Sequence, residues 1–327
     1  MRLLVIGDEK RVRKFLPNLP IVNEVEVRVV ARGTSDEEIL AQVPDADFIM
    51  ADAISPVSAQ LIEAMPSLKL VHSEGVAFNA IDCDAAAKRG IPVCNNRGVN
   101  AVGVAEQTVL LMLSAQKHLV EGDAAVRSGR QIQMKERLMV SGIDELAGST
   151  VGLVGFGAIA REVARRLRAF DATVVYNKRH CLSEEEEQRL GVTYAPLDKL
   201  LAQSDFVSIH VPVTDETRGM VNDDFFAQMK PGSYLVNTAR GEIVDNQACI
   251  RALESGKLAG AAFDTVAPEP VTVDNPLVTL PPDLASKVVF SPHIGGVTTN
   301  MFRRAHRAVW ENIARVAAGE APVNRVN

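Results

Sequence analysis

Three short segments late in the chain carry side chains suited to chemistry at a carbonyl. Val236-Asn237-Thr238-Ala239-Arg240-Gly241-Glu242 places Arg240 just past a buried apolar run. Asp264-Thr265-Val266-Ala267-Pro268-Glu269-Pro270 carries two carboxylates, and Ser291-Pro292-His293-Ile294-Gly295-Gly296 carries a histidine. Adding a hydride to a 2-oxo acid requires a cation to hold the carboxylate and polarise the carbonyl. It also requires an acid to protonate the developing alkoxide and a partner to keep that acid charged. Arg240, His293 and Glu269 fit those tasks. Singly, a His after Pro is more often structural, and an Arg beside Gly more often a surface or capping residue. Their value lies in occurring together, in order, behind a cofactor loop.

That loop is Gly155-Phe156-Gly157-Ala158-Ile159-Ala160, directly after the apolar run Val151–Val154 and opening a helix over Arg161–Ala169. A GxGxx(G/A) pattern alone is weak, but strand before and helix after is the context of a dinucleotide fingerprint. Gly155 makes the tight turn, Gly157 admits the pyrophosphate to the backbone, and Ala160 permits close helix–strand packing. The helix N-terminus offers free N–H groups to the phosphates. About 20 residues on, where an NAD site places an acid on the ribose, the chain reads Asn177-Lys178-Arg179. Two cations suit a 2′-phosphate, which favours NADP(H) and leaves NAD(H) possible. The bland reading is a pair of solvated charges at a strand end.

Short apolar runs alternating with helical patterns predict parallel α/β sheets. Strands are expected at Leu3–Ile6, Val25–Val30, Phe48–Met50, Leu70–His72 and Pro92–Cys94. A second set is expected at Val151–Val154, Thr173–Tyr176, Phe206–His210, Tyr234–Asn237, Ala259–Phe263 and Val288–Phe290. A helix over Ala101–Leu119 separates the sets, and another over Asn300–Ala318 closes the chain. The expected organisation is two doubly wound domains, residues 1–100 with 296–327 and residues 101–295. In an open sheet of this kind ligands bind at the strand C-terminal ends, where the three segments fall.

The net charge of −6 argues against a broad footprint for nucleic acid or anionic membrane. No apolar stretch approaches a membrane span, so a soluble, cytoplasmic protein is expected. Cys83, Cys94, Cys181 and Cys249 form no CxxC pair and suggest neither disulfides nor a metal site. His72, His118, His180 and His306 are expected to be structural or surface residues.

These segments, with Gly75-Val76-Ala77-Phe78-Asn79-Ala80-Ile81-Asp82 and the helix start around Val104-Ala105-Glu106, strongly resemble the D-isomer-specific 2-hydroxyacid dehydrogenase family over nearly the whole chain. The resemblance implies a flavodoxin-like substrate domain and a Rossmann domain, the C-terminal helix rejoining the first. It implies Arg240 on the substrate carboxylate and carbonyl, His293 as proton donor in reduction, and Glu269 hydrogen-bonded to it. Asp264 would hold the nicotinamide carboxamide and Thr238 would line the nicotinamide. His210, with Pro212, would lie near the cofactor, a packing role for His210 being equally open; Gly295 would border the same site. Gly75, Val76 and Ala77 would form the loop whose amides grip the carboxylate. Ala77 stands where many members have a second glycine. A homodimer is expected from the family, built through the Rossmann domain and the 101–119 helix.

The leading function is reduction of a 2-oxo acid such as glyoxylate or hydroxypyruvate to a D-2-hydroxy acid. Phosphite and phosphoglycerate dehydrogenases on the same fold remain alternatives. So does a non-enzymatic nucleotide-sensing corepressor, which would expect added recognition segments. Formate dehydrogenase is disfavoured because Glu269 stands where it carries Gln.

Overall fold

Aliphatic runs buried on both faces become parallel strands, because only crossover helices can cover both sides of a sheet. In a computed structural model describing residues 1–327, they form two sheets in two separate units, Met1–Asn100 with Val297–Asn327 and Ala101–Gly296. The first holds β1 (Arg2–Ile6), β2 (Glu26–Val30), β3 (Phe48–Ala51), β4 (Leu70–Ser73) and β5 (Val93–Cys94), all parallel. Their order is β2-β1-β3-β4-β5, the flavodoxin-like winding. Central β3 and β4 are buried at every position, whereas edge β2 shows its Glu26 and Arg28 to solvent.

Alternation along β1 and β3 sends Leu4, Ile6 and Ile49 to one core and Leu3, Val5, Phe48 and Met50 to another. The second core is closed by Val309, Trp310 and Ile313 of the helix Thr299–Ala317. That helix starts where Thr298 accepts from the Met301 N–H, a side-chain cap for an otherwise unpaired donor.

The second unit contains β6 (Thr150–Val154), β7 (Thr173–Asn177), β8 (Thr193–Tyr194), β9 (Phe206–Ile209), β10 (Ser233–Asn237), β11 (Leu258–Phe263) and β12 (Val288–Phe290). The order is β12-β11-β10-β9-β6-β7-β8, so the winding reverses between β6 and β9, the switch point at which open α/β sheets bind ligands. The helix Ala101–Gln116 packs against Ala158–Arg168 and the strands β10 to β12.

Three details differ from the pattern read in the sequence. The long helix stops at Gln116 because His118 adopts a left-handed backbone with φ 50°, and two further helices, Leu119–Arg127 and Gln131–Ser141, follow. The helix after the glycine loop begins at Ala158, three residues earlier than expected. β8 was not anticipated: two exposed residues on an edge leave almost no hydrophobic signal. No helix is long and apolar enough to cross a membrane.

Candidate active site

The glycine loop turns from β6 into the helix Ala158–Arg168. Gly155 has φ +92°, and a Cβ there would stand 2.5 Å from the carbonyl oxygen of His210. No other residue type fits that turn. Gly157, the N-cap of the helix, has no side-chain cap, and a Cβ on it would meet nothing within 4 Å. The first N–H groups of the helix are thus uncapped beside open space, and the residues present fit a dinucleotide pyrophosphate. Ala160 is fully buried at the strand–helix contact. The Phe156 side chain lies in the core, 4.4 Å between ring centroids from Tyr176, which leaves only its main chain for a ligand.

At the end of β7, Asn177 donates to the Ala195 carbonyl. Lys178 follows without an ion pair, and Arg179 is paired on the surface with Glu216. His210 directly follows β9, its Nε2 2.9 Å from the Ser208 hydroxyl, and desolvation lowers its pKa to about 4, so the ring is neutral near pH 7. Pro212 follows, its carbonyl accepting from Thr217.

The three segments end adjacent strands β10, β11 and β12. Buried Asn237 organises the first: its Oδ1 accepts from the Ala239 N–H, its Nδ2 donates to the Arg240 carbonyl, and its own carbonyl accepts from the Asp264 N–H. Arg240 itself is exposed and pairs with no carboxylate of the protein. At Gly241 a Cβ would lie 2.2 Å from the Ala267 nitrogen, so a glycine here lets the Glu269 segment pass close against the Arg240 turn. Thr238 bonds the hydroxyl of Thr108 at 2.9 Å.

His293 has φ +55°, a left-handed conformation that few residues other than glycine adopt. Its Nδ1 is 2.6 Å from Glu269 Oε1. A carboxylate accepts only, so Nδ1 carries a proton and Nε2 is left free to exchange one. The strained loop is held by Asp264, 3% exposed, whose Oδ1 accepts from Ser291 Oγ (2.5 Å) and the Ile294 N–H (3.0 Å) and whose Oδ2 accepts from the Gly295 N–H (2.8 Å). Asp264 therefore anchors the histidine loop. Asn237 and Ser291 were not singled out in the sequence; a buried Asn at the end of an apolar strand was the available signal for the first.

In the other unit, the loop after β4 is pinned by its carbonyls. Asn96 Nδ2 donates to Glu74 O, the Asn96 N–H to Gly75 O, Asn95 Nδ2 to Val76 O and Ser73 Oγ to Ala77 O, at 2.6–2.8 Å. The Val76 and Ala77 N–H groups make no hydrogen bond within the protein.

Residues 109–295 match the family model described as D-isomer specific 2-hydroxyacid dehydrogenase, NAD binding domain. The chain is 38% identical over 293 residues to a glyoxylate reductase of Korarchaeum cryptofilum, covering 90% of this chain and 86% of that one. It is 37% identical over 305 residues to a D-3-phosphoglycerate dehydrogenase of Archaeoglobus fulgidus, covering 93% of this chain but 55% of the relative. Among solved structures, a glyoxylate reductase from Paecilomyes thermophila superposes with a TM-score of 0.78 at 30% identity, over 99% of this chain and 98% of that one. The holo form of Rhodotorula graminis D-mandelate dehydrogenase superposes with a TM-score of 0.85 at 28% identity, over 100% of this chain and 97% of that one.

Proposed function

Because the chain belongs to the D-isomer specific 2-hydroxyacid dehydrogenase family and is an oxidoreductase with a nicotinamide-dinucleotide domain, we propose that it reduces a small 2-oxo acid to the D-2-hydroxy acid with NADPH. The observation that carries the reading is the pairing at the ends of β10 to β12. An unpaired guanidinium, Arg240, accompanies a histidine whose Nδ1 is fixed by Glu269 and whose Nε2 is free.

A nicotinamide dinucleotide held through its pyrophosphate by the glycine loop would supply the hydride. Arg240 binds the substrate carboxylate and polarises the 2-oxo group. His293 gives the Nε2 proton to the oxygen that becomes the hydroxyl, and Glu269 stabilises the imidazolium beforehand. The balance is 2-oxo acid, reduced cofactor and one proton giving 2-hydroxy acid and oxidised cofactor. Asp264 and Ser291 keep His293 in its left-handed conformation. The Val76 and Ala77 amides bind the carboxylate. Lys178 and Arg179 bind the 2′-phosphate, Arg179 exchanging its surface partner Glu216, an exposed pair of little net worth.

We also assign a homodimeric state. The helices Leu119–Arg127 and Gln131–Ser141 border an apolar groove, with Leu119, Val126 and Met139 more than half exposed, and a second copy is the partner the family implies.

The test is a panel of 2-oxo acids, including glyoxylate, hydroxypyruvate and its 3-phospho derivative, each assayed with NADPH and NADH. Reduction of an unphosphorylated 2-oxo acid with NADPH preferred supports the reading. Activity confined to the phosphorylated substrate would move the assignment to the phosphoglycerate dehydrogenase branch, which the Archaeoglobus relative represents by name.

A further inference from the structure

The loop Glu74-Gly75-Val76-Ala77 sits on a buried charged cluster that the proposed chemistry leaves unused. The Glu74 carboxylate is 6% exposed and accepts three N–H bonds. Arg11 donates from Nε to Oε1 at 3.0 Å and from Nη2 to Oε2 at 2.7 Å. His306, wholly buried on the closing helix, donates from Nε2 to Oε1 at 2.7 Å, and its Nδ1 has no partner.

Stability does not call for this arrangement. Replacing a buried ion pair by apolar residues of similar volume is often neutral or stabilising, and an unpartnered buried ring nitrogen is itself costly. What the cluster does supply is geometry. Arg11 meets the carboxylate as a two-pronged fork, fixing its plane, while His306 fixes one oxygen. Glu74 is also the residue whose carbonyl Asn96 holds, one position before the Gly75 carbonyl that the Asn96 N–H holds. A displaced Glu74 would carry the pinned carbonyls with it, and with them the direction of the Val76 and Ala77 amides. Charge matters as well: a bare carboxylate two residues before amides meant for an anion would disfavour that anion, and the Arg11 fork neutralises it, the same Nη2 lying 3.9 Å from Asp52, which pairs with Arg32.

We infer that Arg11, Glu74 and His306 form a positioning triad that aims the Val76 and Ala77 amides at the substrate carboxylate and neutralises the charge beside them. The inference rests on the reading of those amides as carboxylate donors. The triad residues touch no substrate; they act through the loop.

The experiment uses the full-length enzyme with glyoxylate and NADPH. Arg11→Lys keeps the charge but loses the fork, and His306→Leu removes one donor. Each should raise KM for glyoxylate roughly tenfold while leaving KM for NADPH within about twofold. His306→Gln, whose amide can donate from nearly the place of Nε2, should recover most of that loss. A folded His306→Leu with wild-type KM for glyoxylate, equal shifts in both KM values, or no rescue by Gln would each overturn the triad. If His306→Leu does not fold, Arg11→Lys, at a partly exposed site, decides by the same criterion. A second readout needs no turnover: hydrogen exchange at the bonded Gly75 and Asn96 amides should quicken in Arg11→Lys, and unchanged exchange counts against the triad. A wild-type enzyme that reduces no 2-oxo acid would defeat the underlying reading instead, and is seen before any variant is made.

Discussion

Beyond the ends of β10, β11 and β12 the groups proposed to meet a ligand are side chains, Arg240, Glu269 and His293, each making one hydrogen bond from its side chain. After β4 the groups proposed for that role are main-chain amides, and it is the neighbouring side chains, Ser73, Asn95 and Asn96, that hold the loop. In the first region identity is chemistry, so substitution acts directly. In the second, residue type at the contact matters little, and the holding residues matter more.

The largest expected effect tests that contrast. Arg240→Ala should lower kcat/KM for glyoxylate by roughly 10²–10³-fold, the scale of losing one transition-state charge partner, with cofactor affinity unchanged in a fluorescence titration. Val76→Ala keeps the amide and should change the same constant by less than about threefold, since the side chain is partly exposed and glyoxylate has none to meet it. Comparable losses in the two variants would break the distinction between the regions.

Next in size is the cofactor. Arg179→Ala removes one charged bond to a 2′-phosphate and should weaken NADPH by roughly 10- to 100-fold with little change for NADH. Lys178→Asp should swing the preference further by adding a ribose acceptor and repelling the phosphate. A wild-type enzyme that already prefers NADH would return these cations to the status of a solvated strand end, the role Arg179 already plays toward Glu216.

Glu269→Gln should cost less, about tenfold near neutral pH. Gln can still accept from Nδ1 but brings no charge to set against an imidazolium. The check is kcat/KM in both directions beside the KM for the cofactor, which should hold. Unchanged kcat/KM in both directions would remove Glu269 from the proton step.

Legibility in the sequence followed the same division. The strands were readable because double burial writes them as continuous apolar runs, and Gly155, Arg240, Glu269 and His293 stand out because their residue types are those the proposed chemistry needs. β8 was not, being two exposed edge residues. The Arg11, Glu74 and His306 cluster was not either, since its members lie far apart in sequence and become partners only when β4 meets the closing helix. His72 and His306 were expected to be structural or surface residues; both are buried, and only the fold shows what they hold. Asn237 gives only a weak signal, because an Asn ending a strand looks like any turn former until its burial is seen.

The smallest expected effect concerns stability and again separates the two units. His72 on β4 is 1% exposed, with Nδ1 2.8 Å from the Ser73 carbonyl and Nε2 3.0 Å from Asn312 Nδ2. Nδ1 must donate and Nε2 must accept, so only the neutral ring satisfies both, and burial pushes the pKa from 6.5 to about 4. The unfolded chain therefore binds a proton that the folded chain refuses between those values. Stability is full above about pH 6.5 and falls as pH drops toward 4, by up to roughly 1.4 kcal/mol per pH unit from this one group. His210 in the other unit shifts in the same direction, also by desolvation, but the residue keeps some solvent exposure and one side-chain partner, so its contribution should be smaller. Denaturant unfolding of wild type, His72→Leu and His210→Gln between pH 7 and 4 measures both. The His72 variant should be less stable at pH 7, having left Asn312 short of an acceptor, yet should lose less stability on acidification than wild type. A slope unaltered by His72→Leu but flattened by His210→Gln would place the acid-sensitive histidine in the dinucleotide unit and reverse the comparison.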